Sequence, residues 1–176
     1  MQRMILLVAV IALAASGAAA QAQVKATGSE SLPARPKSYV GDYAKVIDAR
    51  AERRLETKLA GLRKRAAIEF VVVTLETTGA EDIFDYSLAA AQRWKLARGA
   101  GDKGGILLML AMRDRKWRVQ LTDSLRNDTP EAVLREHGER MAAAMRRNDT
   151  SAGVEVFVDG LVAHLAARRG FKNTPD

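Results

Sequence analysis

The sequence predicts an α/β fold, a single mixed β-sheet sandwiched between helices, and three observations carry the prediction. Residues 68–75 (IEFVVVTL) and 105–112 (GILLMLAM) are short runs that stay apolar on successive positions, the pattern of strands covered on both faces. Helical periodicity lies before, between and after them. A third run sets Trp117, Val119 and Leu121 against Arg118, Gln120 and Thr122, the alternation of a half-exposed strand.

Each element follows from local signals. Asp48 is a good N-cap, and Leu55, Leu59, Leu62 and Ala66 then recur at helical spacing up to the first strand. A second helix runs from about Asp82 to Ala97, its buried stripe made of Ile83, Tyr86, Ala90, Trp94 and Ala97. A Gly-rich loop leads into the second strand. The polar turn Arg113-Asp114-Arg115-Lys116 joins it to the third as a hairpin. Thr129-Pro130-Glu131 is a helix start, with Thr as cap and Pro at the first helical position; Val133, His137, Met141, Ala144 and Met145 share its buried face. Thr150 or Ser151 caps a last helix carrying Val154, Phe157, Leu161 and Leu165. One sheet with helices on both faces buries all these stripes. The domain is expected to span 39–170, with 171–176 as a disordered tail.

The N-terminus reads as an export signal. Arg3 gives a positive start, residues 4–15 form an uncharged apolar run, and Ala18-x-Ala20 and Ala20-x-Ala22 fit the small-x-small cleavage rule. The apolar run has 12 residues, against the roughly 20 that a spanning helix needs. Residues 1–22 are therefore expected to be removed, leaving a soluble periplasmic or secreted domain with no membrane span. Residues 23–38, with Gly28, Ser29, Ser31, Pro33, Pro36 and Ser38, read as a flexible linker.

Composition narrows the chemistry. Cysteine is absent from the 176 residues, which removes thiol catalysis and cysteine-based zinc sites. The formal net charge is +7, which suits contact with anionic lipid, envelope polymers or phosphorylated ligands. Arg53, Arg54, Arg63, Arg65, Arg146, Arg147, Arg168 and Arg169 are spread over helices with few aromatics among them, so base stacking on nucleic acid is not expected; a solvated arginine-rich surface accounts for them equally well. Residues 99–104 (GAGDKG) match G-x-G-x-x-G. They follow a helix and enter a strand, the reverse of the dinucleotide-binding order, so no nucleotide is expected. The two histidines, His137 and His164, sit on different helices without ligand spacing, and no G-x-S-x-G elbow is present. Neither haem nor zinc is expected.

Four aspartates lie at element ends: Asp42, Asp82, Asp102 and Asp123. Asp82 follows the first strand and Asp102 precedes the second. If those strands are antiparallel, both loops share one rim, and Asp123 joins them after a third strand parallel to the first. Oxygen-only clusters of this kind suit Ca²⁺ or Mg²⁺. Ordinary loop and cap roles are the competing reading of the same residues.

The ordered set of motifs resembles the TPM domain, a family named for a thylakoid-lumen protein, a photosystem II repair protein and a nematode receptor modulator. The resemblance rests on residues 40–47 (VGDYAKVI), 68–74 (IEFVVVT), 81–86 (EDIFDY) leading to 94–96 (WKL), 103–109 (KGGILLM) and 114–119 (DRKWRV), and covers 39–167. It implies an α/β/α sandwich working outside the cytoplasm. Some members are described as acid phosphatases or as divalent-cation binders at a loop-borne acidic cluster; others are assembly, repair or modulatory factors. By position it carries over Asp42, Asp82 and Asp102 as cation ligands and gives Asp114 a structural role at the hairpin; in a metal-assisted phosphatase, Lys103 or a nearby Arg would bind the phosphoryl anion and offset its developing charge. Two departures stand out. Where many members have Gly-Tyr/Asn-Gly-Leu-Glu, this chain has residues 122–126 (TDSLR), with Arg126 in the place of the acid. Many bacterial relatives also continue into a membrane helix and a Gly-rich tail, whereas this sequence stops at Asp176. The expectation is an exported, non-catalytic binding or envelope-maintenance factor with a divalent-cation site and an envelope protein or anionic envelope component as partner. A metal-assisted acid phosphatase and a basic-surface binder of anionic lipid or polymer are the alternatives.

Overall fold

The computed structural model describes residues 32–99 and 101–173. The expected signal peptide, most of the expected linker and the last three residues of the expected tail lie outside them. Among the described residues the order is β1 (Val40–Asp42), α1 (Ala49–Ala66), β2 (Ile68–Leu75), α2 (Ile83–Arg93), β3 (Gly104–Ala111), β4 (Lys116–Leu121), α3 (Asp123–Arg126), α4 (Glu131–Met145) and α5 (Thr150–Arg169). The sheet runs β1-β2-β3-β4, with the first three strands parallel and β4 antiparallel to β3.

The doubly apolar strands do what their pattern predicts. Phe70, Val72, Ile106, Leu108 and Leu110 face α1, α4 and α5, where they pack with Leu55, Leu59, Leu62, Phe157 and Leu161. Their neighbours Val71, Val73, Leu107 and Met109 face α2, meeting Tyr86, Ala90 and Trp94. A two-residue side-chain period thus builds two cores from one run. On β4, Trp117 and Val119 join the first core, while Gln120 faces α2 and donates to the Ser87 hydroxyl and the Phe84 carbonyl.

Several elements differ from expectation, each for a physical reason. β1 was not foreseen as a strand. It has three residues, and its extended form comes from parallel pairing, Val40 opposite Val72. α2 stops at Arg93 rather than Ala97. Lys95 and Ala97 turn left-handed (φ 52° and 49°), which buries Leu96 and sends the Ala97 N–H to Glu69 Oε2 at 2.6 Å. Pro130 rather than Thr129 stands at the cap of α4, with its carbonyl accepting from the Val133 N–H at 2.9 Å. Asp149 caps α5, accepting from the Ala152 N–H, whereas Ser151 Oγ accepts from the Asp48 N–H at 2.9 Å and ties the starts of α1 and α5 together.

Residues 32–38, read as linker, pack on the domain. Leu32 is buried in the α2-side core, Pro33 O accepts from Trp94 Nε1, and Arg35 binds both Trp94 O and the Glu69 carboxylate. α5 bears on the expectation of no membrane span. By length and composition it could cross a membrane. Its apolar character is used in the core, where Val154, Phe157, Val158, Leu161, Val162 and Leu165 are fully buried.

Candidate functional site

The parallel arrangement of β2 and β3 decides how the expected site residues are distributed. Loops after β1 and β2 and the β3–β4 turn open on the rim at the C-terminal ends of the parallel strands. Loops before β3 and after β4 open on the opposite rim. The antiparallel arrangement that would gather Asp82 and Asp102 does not occur. Asp42, Asp82 and Asp114 share the first rim; Asp102, Lys103 and Asp123 share the second.

Each of these carboxylates holds local structure. Asp42 Oδ1 accepts from the Val46 N–H at 3.1 Å and from the Thr74 hydroxyl, and Oδ2 accepts from the Ile47 N–H at 2.9 Å. It thereby closes the turn in which Lys45 is left-handed, and ties that turn to β2. Asp82 is the N-cap of α2, accepting from the Phe84 N–H at 2.8 Å. Asp114 accepts from the Thr78 N–H at 2.9 Å and from the hydroxyls of Thr77 and Thr78, bolting the hairpin turn to the loop after β2. The Thr78 N–H, with the Thr77 hydroxyl next, holds the Asp114 carboxyl below the usual carboxylate range, as donors to an ionised group do.

On the other rim, Asp102 forms an ion pair with Arg63 of α1 and accepts from the Gly99 N–H at 2.8 Å. Its side chain is 4% exposed. Lys103 donates its backbone N–H to Ala67 O, and its side chain points outward. Asp123 pairs with Arg126, so the arginine that replaces the family's acid is held by its own neighbour. Arg169, which the sequence reading took for surface, is the hub of this rim. It binds Asp128 Oδ2 at 2.6 Å together with the carbonyls of Ser124 and Lys103. Among the described residues, no three His, Cys, Asp or Glu side chains come close enough together to hold a metal ion.

The histidines belong to the helical layer. His137 is buried between α4 and α5, edge-on to Phe157, with Nδ1 unpaired among the described residues, and burial lowers its pKa below the ordinary value. His164 meets Asp128 O at 2.7 Å.

The feature that sequence reading dispersed is on α1. Its outward face and the end of the described chain at Asn173 enclose a groove of about 620 Å³ in which Arg50, Arg53, Arg54, Lys58, Lys64 and Arg65 converge. The signal was present in the spacing. Arg50, Arg53 and Lys64 fall opposite Leu55, Leu59 and Leu62, the buried stripe of the same helix, and Arg54, Lys58 and Arg65 lie along its flank.

A four-stranded mixed sheet between α2 on one face and α1, α4 and α5 on the other defines an α/β/α sandwich, and the comparisons give that class its family. The family described as the TPM domain matches residues 40–164; the chain belongs to it. Similar solved structures carry the same fold. The N-terminal domain of a protein from P. gingivalis shares 24% identity, covering 76% of this chain and 85% of that one, with a TM-score of 0.68. The BA42 protein of the psychrophilic bacterium Bizionia argentinensis shares 18%, covering 73% and 86%, with a TM-score of 0.57. The N-terminal domain of the cg2496 protein of Corynebacterium glutamicum shares 15%, covering 74% and 81%, with a TM-score of 0.56. No curated protein matches this chain.

Proposed function

We propose that this chain works outside the cytoplasm, after removal of residues 1–22, as a non-catalytic binding factor of the TPM-domain family. The observation that carries the reading is the disposition of Asp42, Asp82 and Asp102. They lie on two opposite rims, and each carboxylate is engaged by backbone N–H groups that hold a turn or a helix cap. Binding Ca²⁺ or Mg²⁺ through all three would require the strands themselves to rearrange. A metal-assisted phosphomonoesterase, the competing reading, would have to be built on Asp42, Asp82 and Asp114, each already engaged in a turn or cap, with Lys103 on the far rim.

Two measurements test the proposal. Mass spectrometry of the exported protein is expected to place the mature N-terminus between Gln21 and Val24; an intact Met1 refutes the cleavage. Hydrolysis of a chromogenic phosphate ester, from acidic to neutral pH with added Mg²⁺ or Ca²⁺, is expected to stay at background. Turnover on the order of 1 s⁻¹ that disappears in Asp82→Asn overturns the non-catalytic reading.

A further inference from the structure

The outward face of α1 carries one sign of charge. Arg50, Arg53, Arg54, Lys58, Lys64 and Arg65 follow one another along the helix, and the pairs Arg50–Arg53, Arg50–Arg54 and Arg54–Lys58 stand three or four residues apart, on neighbouring turns where like charges repel. Helix formation does not call for them, because Ala51, Leu55, Leu59 and Leu62 supply the buried stripe. α5 answers two of the six cations, through Glu155 on Arg54 and Asp159 on Lys58. Lys64 also has a partner; among the described residues, positive charge without a carboxylate partner remains towards both ends of the helix, with Arg50 and Arg53 at one and Arg65 at the other.

Between those ends the floor is made of small residues, Thr57, Ala60 and Gly61. Gly61 lies inside the helix, where glycine is a weaker former than alanine. A Cβ there would fall 2.6 Å from Arg65 Nη1. Its absence lets the Arg65 guanidinium lie against the helix, with Nε buried and lacking an acceptor among the described residues.

We propose that this groove docks an extended phosphate-bearing polymer, laid along the axis of α1 from Arg50 to Arg65, a length of about 22 Å at 1.5 Å per residue. Guanidinium forks match phosphate oxygens two at a time. A groove with cations at both ends and an open floor between them suits a chain that spans the two. A membrane surface is less well matched, because no large apolar side chain lines the groove to enter the bilayer boundary. Nucleic acid lacks an aromatic platform for its bases. An acidic peptide would bring side chains that need pockets between the charges, and the small-residue floor offers none. The proposal supplies the ligand class for the binding role above and rests on that reading.

The test is calorimetric titration of the exported chain with long-chain inorganic polyphosphate over a series of salt concentrations. Saturable, salt-sensitive binding is expected. Joint replacement Arg50→Gln and Arg53→Gln should weaken it by about tenfold or more and lower the salt slope by roughly one per lost phosphate contact. Gly61→Ala should also weaken binding, by displacing Arg65, while the melting temperature holds or rises, which separates the effect from unfolding. Joint replacement Arg135→Gln and Arg140→Gln on α4 makes the same change in net charge and should leave affinity within about twofold. Absence of saturable binding in the unmutated chain overturns the proposal. So does an equal loss in the α4 control, or tighter binding to phosphatidylglycerol vesicles than to polyphosphate. Ester turnover in the same samples is scored separately: turnover abolished by Asp82→Asn refutes the non-catalytic reading and leaves the groove result standing.

Discussion

Glu69 is the most informative residue to remove. It stands on β2, buried, and joins two segments that the sequence would leave loose. Oε1 pairs with Arg35 of the N-terminal strap, and Oε2 accepts from the Ala97 N–H at 2.6 Å in the turn after α2. Glu69→Ala leaves that N–H without its charged acceptor, a loss of about 1.5–3 kcal/mol. Arg35 is 43% exposed and keeps its bond to Trp94 O. Water can therefore replace the carboxylate there, and this half of the pair adds only about 0–1 kcal/mol. The expected total is about 1.5–4 kcal/mol, or a melting temperature lower by roughly 3–16 °C for a domain of this size. Glu69→Gln keeps an oxygen for Ala97 and should cost only about 1 kcal/mol. Thermal unfolding followed by circular dichroism reads both values. Limited proteolysis should cut the alanine variant first around residues 32–38. A melting temperature within a degree of the unmutated protein, with the strap still protected, would refute the assignment of Glu69 as the tie.

Other substitutions probe the rim and the helical layer. Asp42→Ala should destabilise the domain by about 2–3 kcal/mol, since three donors lose an ionised acceptor; chemical denaturation checks this, and an unchanged midpoint would free Asp42 from its structural role. Gly138→Ala places a Cβ 2.1 Å from the Trp117 ring, and overpacking of about 1–3 kcal/mol should outweigh the gain in helix propensity of up to ~1 kcal/mol. The intrinsic fluorescence of Trp117 should shift with it, while a rise in melting temperature would refute the contact. His137 should make stability depend on pH. Burial lowers its folded pKa, with Glu136 opposing and Arg140 and His164 adding to the shift. Because the unfolded chain binds the proton more readily, its contribution is intact above the ordinary value of about 6.5 and is lost as pH falls through that value towards the folded pKa. His137→Leu should flatten that part of the melting-temperature profile, and an unaltered profile would show that His137 does not titrate in this range.

What the sequence revealed of the fold was whatever burial writes into side-chain pattern. Two-sided burial made residues 68–75 and 105–112 readable as central strands, and Asp48 with Leu55, Leu59 and Leu62 marked α1. Where tertiary contact overrides local preference, the pattern is silent. The strap at 32–38 looks like a linker because prolines and small polar residues dominate it, and its attachment depends on Leu32, Pro33 and Arg35 finding Glu69 and Trp94 far along the chain. The early end of α2 is of the same kind, since Trp94-Lys95-Leu96 has no helix breaker and leaves the helix only because Leu96 and Ala97 have partners on β2 and β3.

The candidate site turned on a single topological fact, and the sequence held a clue to it. β2 and β3 are adjacent strands joined by a connection that contains a whole helix, α2. A crossover of that length is what parallel neighbours need, whereas antiparallel neighbours can close in a short turn, as β3 and β4 do. Parallel strands send Asp82 and Asp102 to opposite ends of the sheet. The basic face of α1 is subject to less ambiguity, because the 3.6-residue period places Arg50, Arg53 and Lys64 on the side away from the core and Arg54, Gly61 and Arg65 along one flank of it. A site assembled across strands depends on topology that one sequence leaves open, whereas a site laid along one helix is fixed by its periodicity. The cations of the phosphate-polymer groove therefore all come from α1, and joint Arg50→Gln and Arg53→Gln replacement examines the groove without disturbing the sheet.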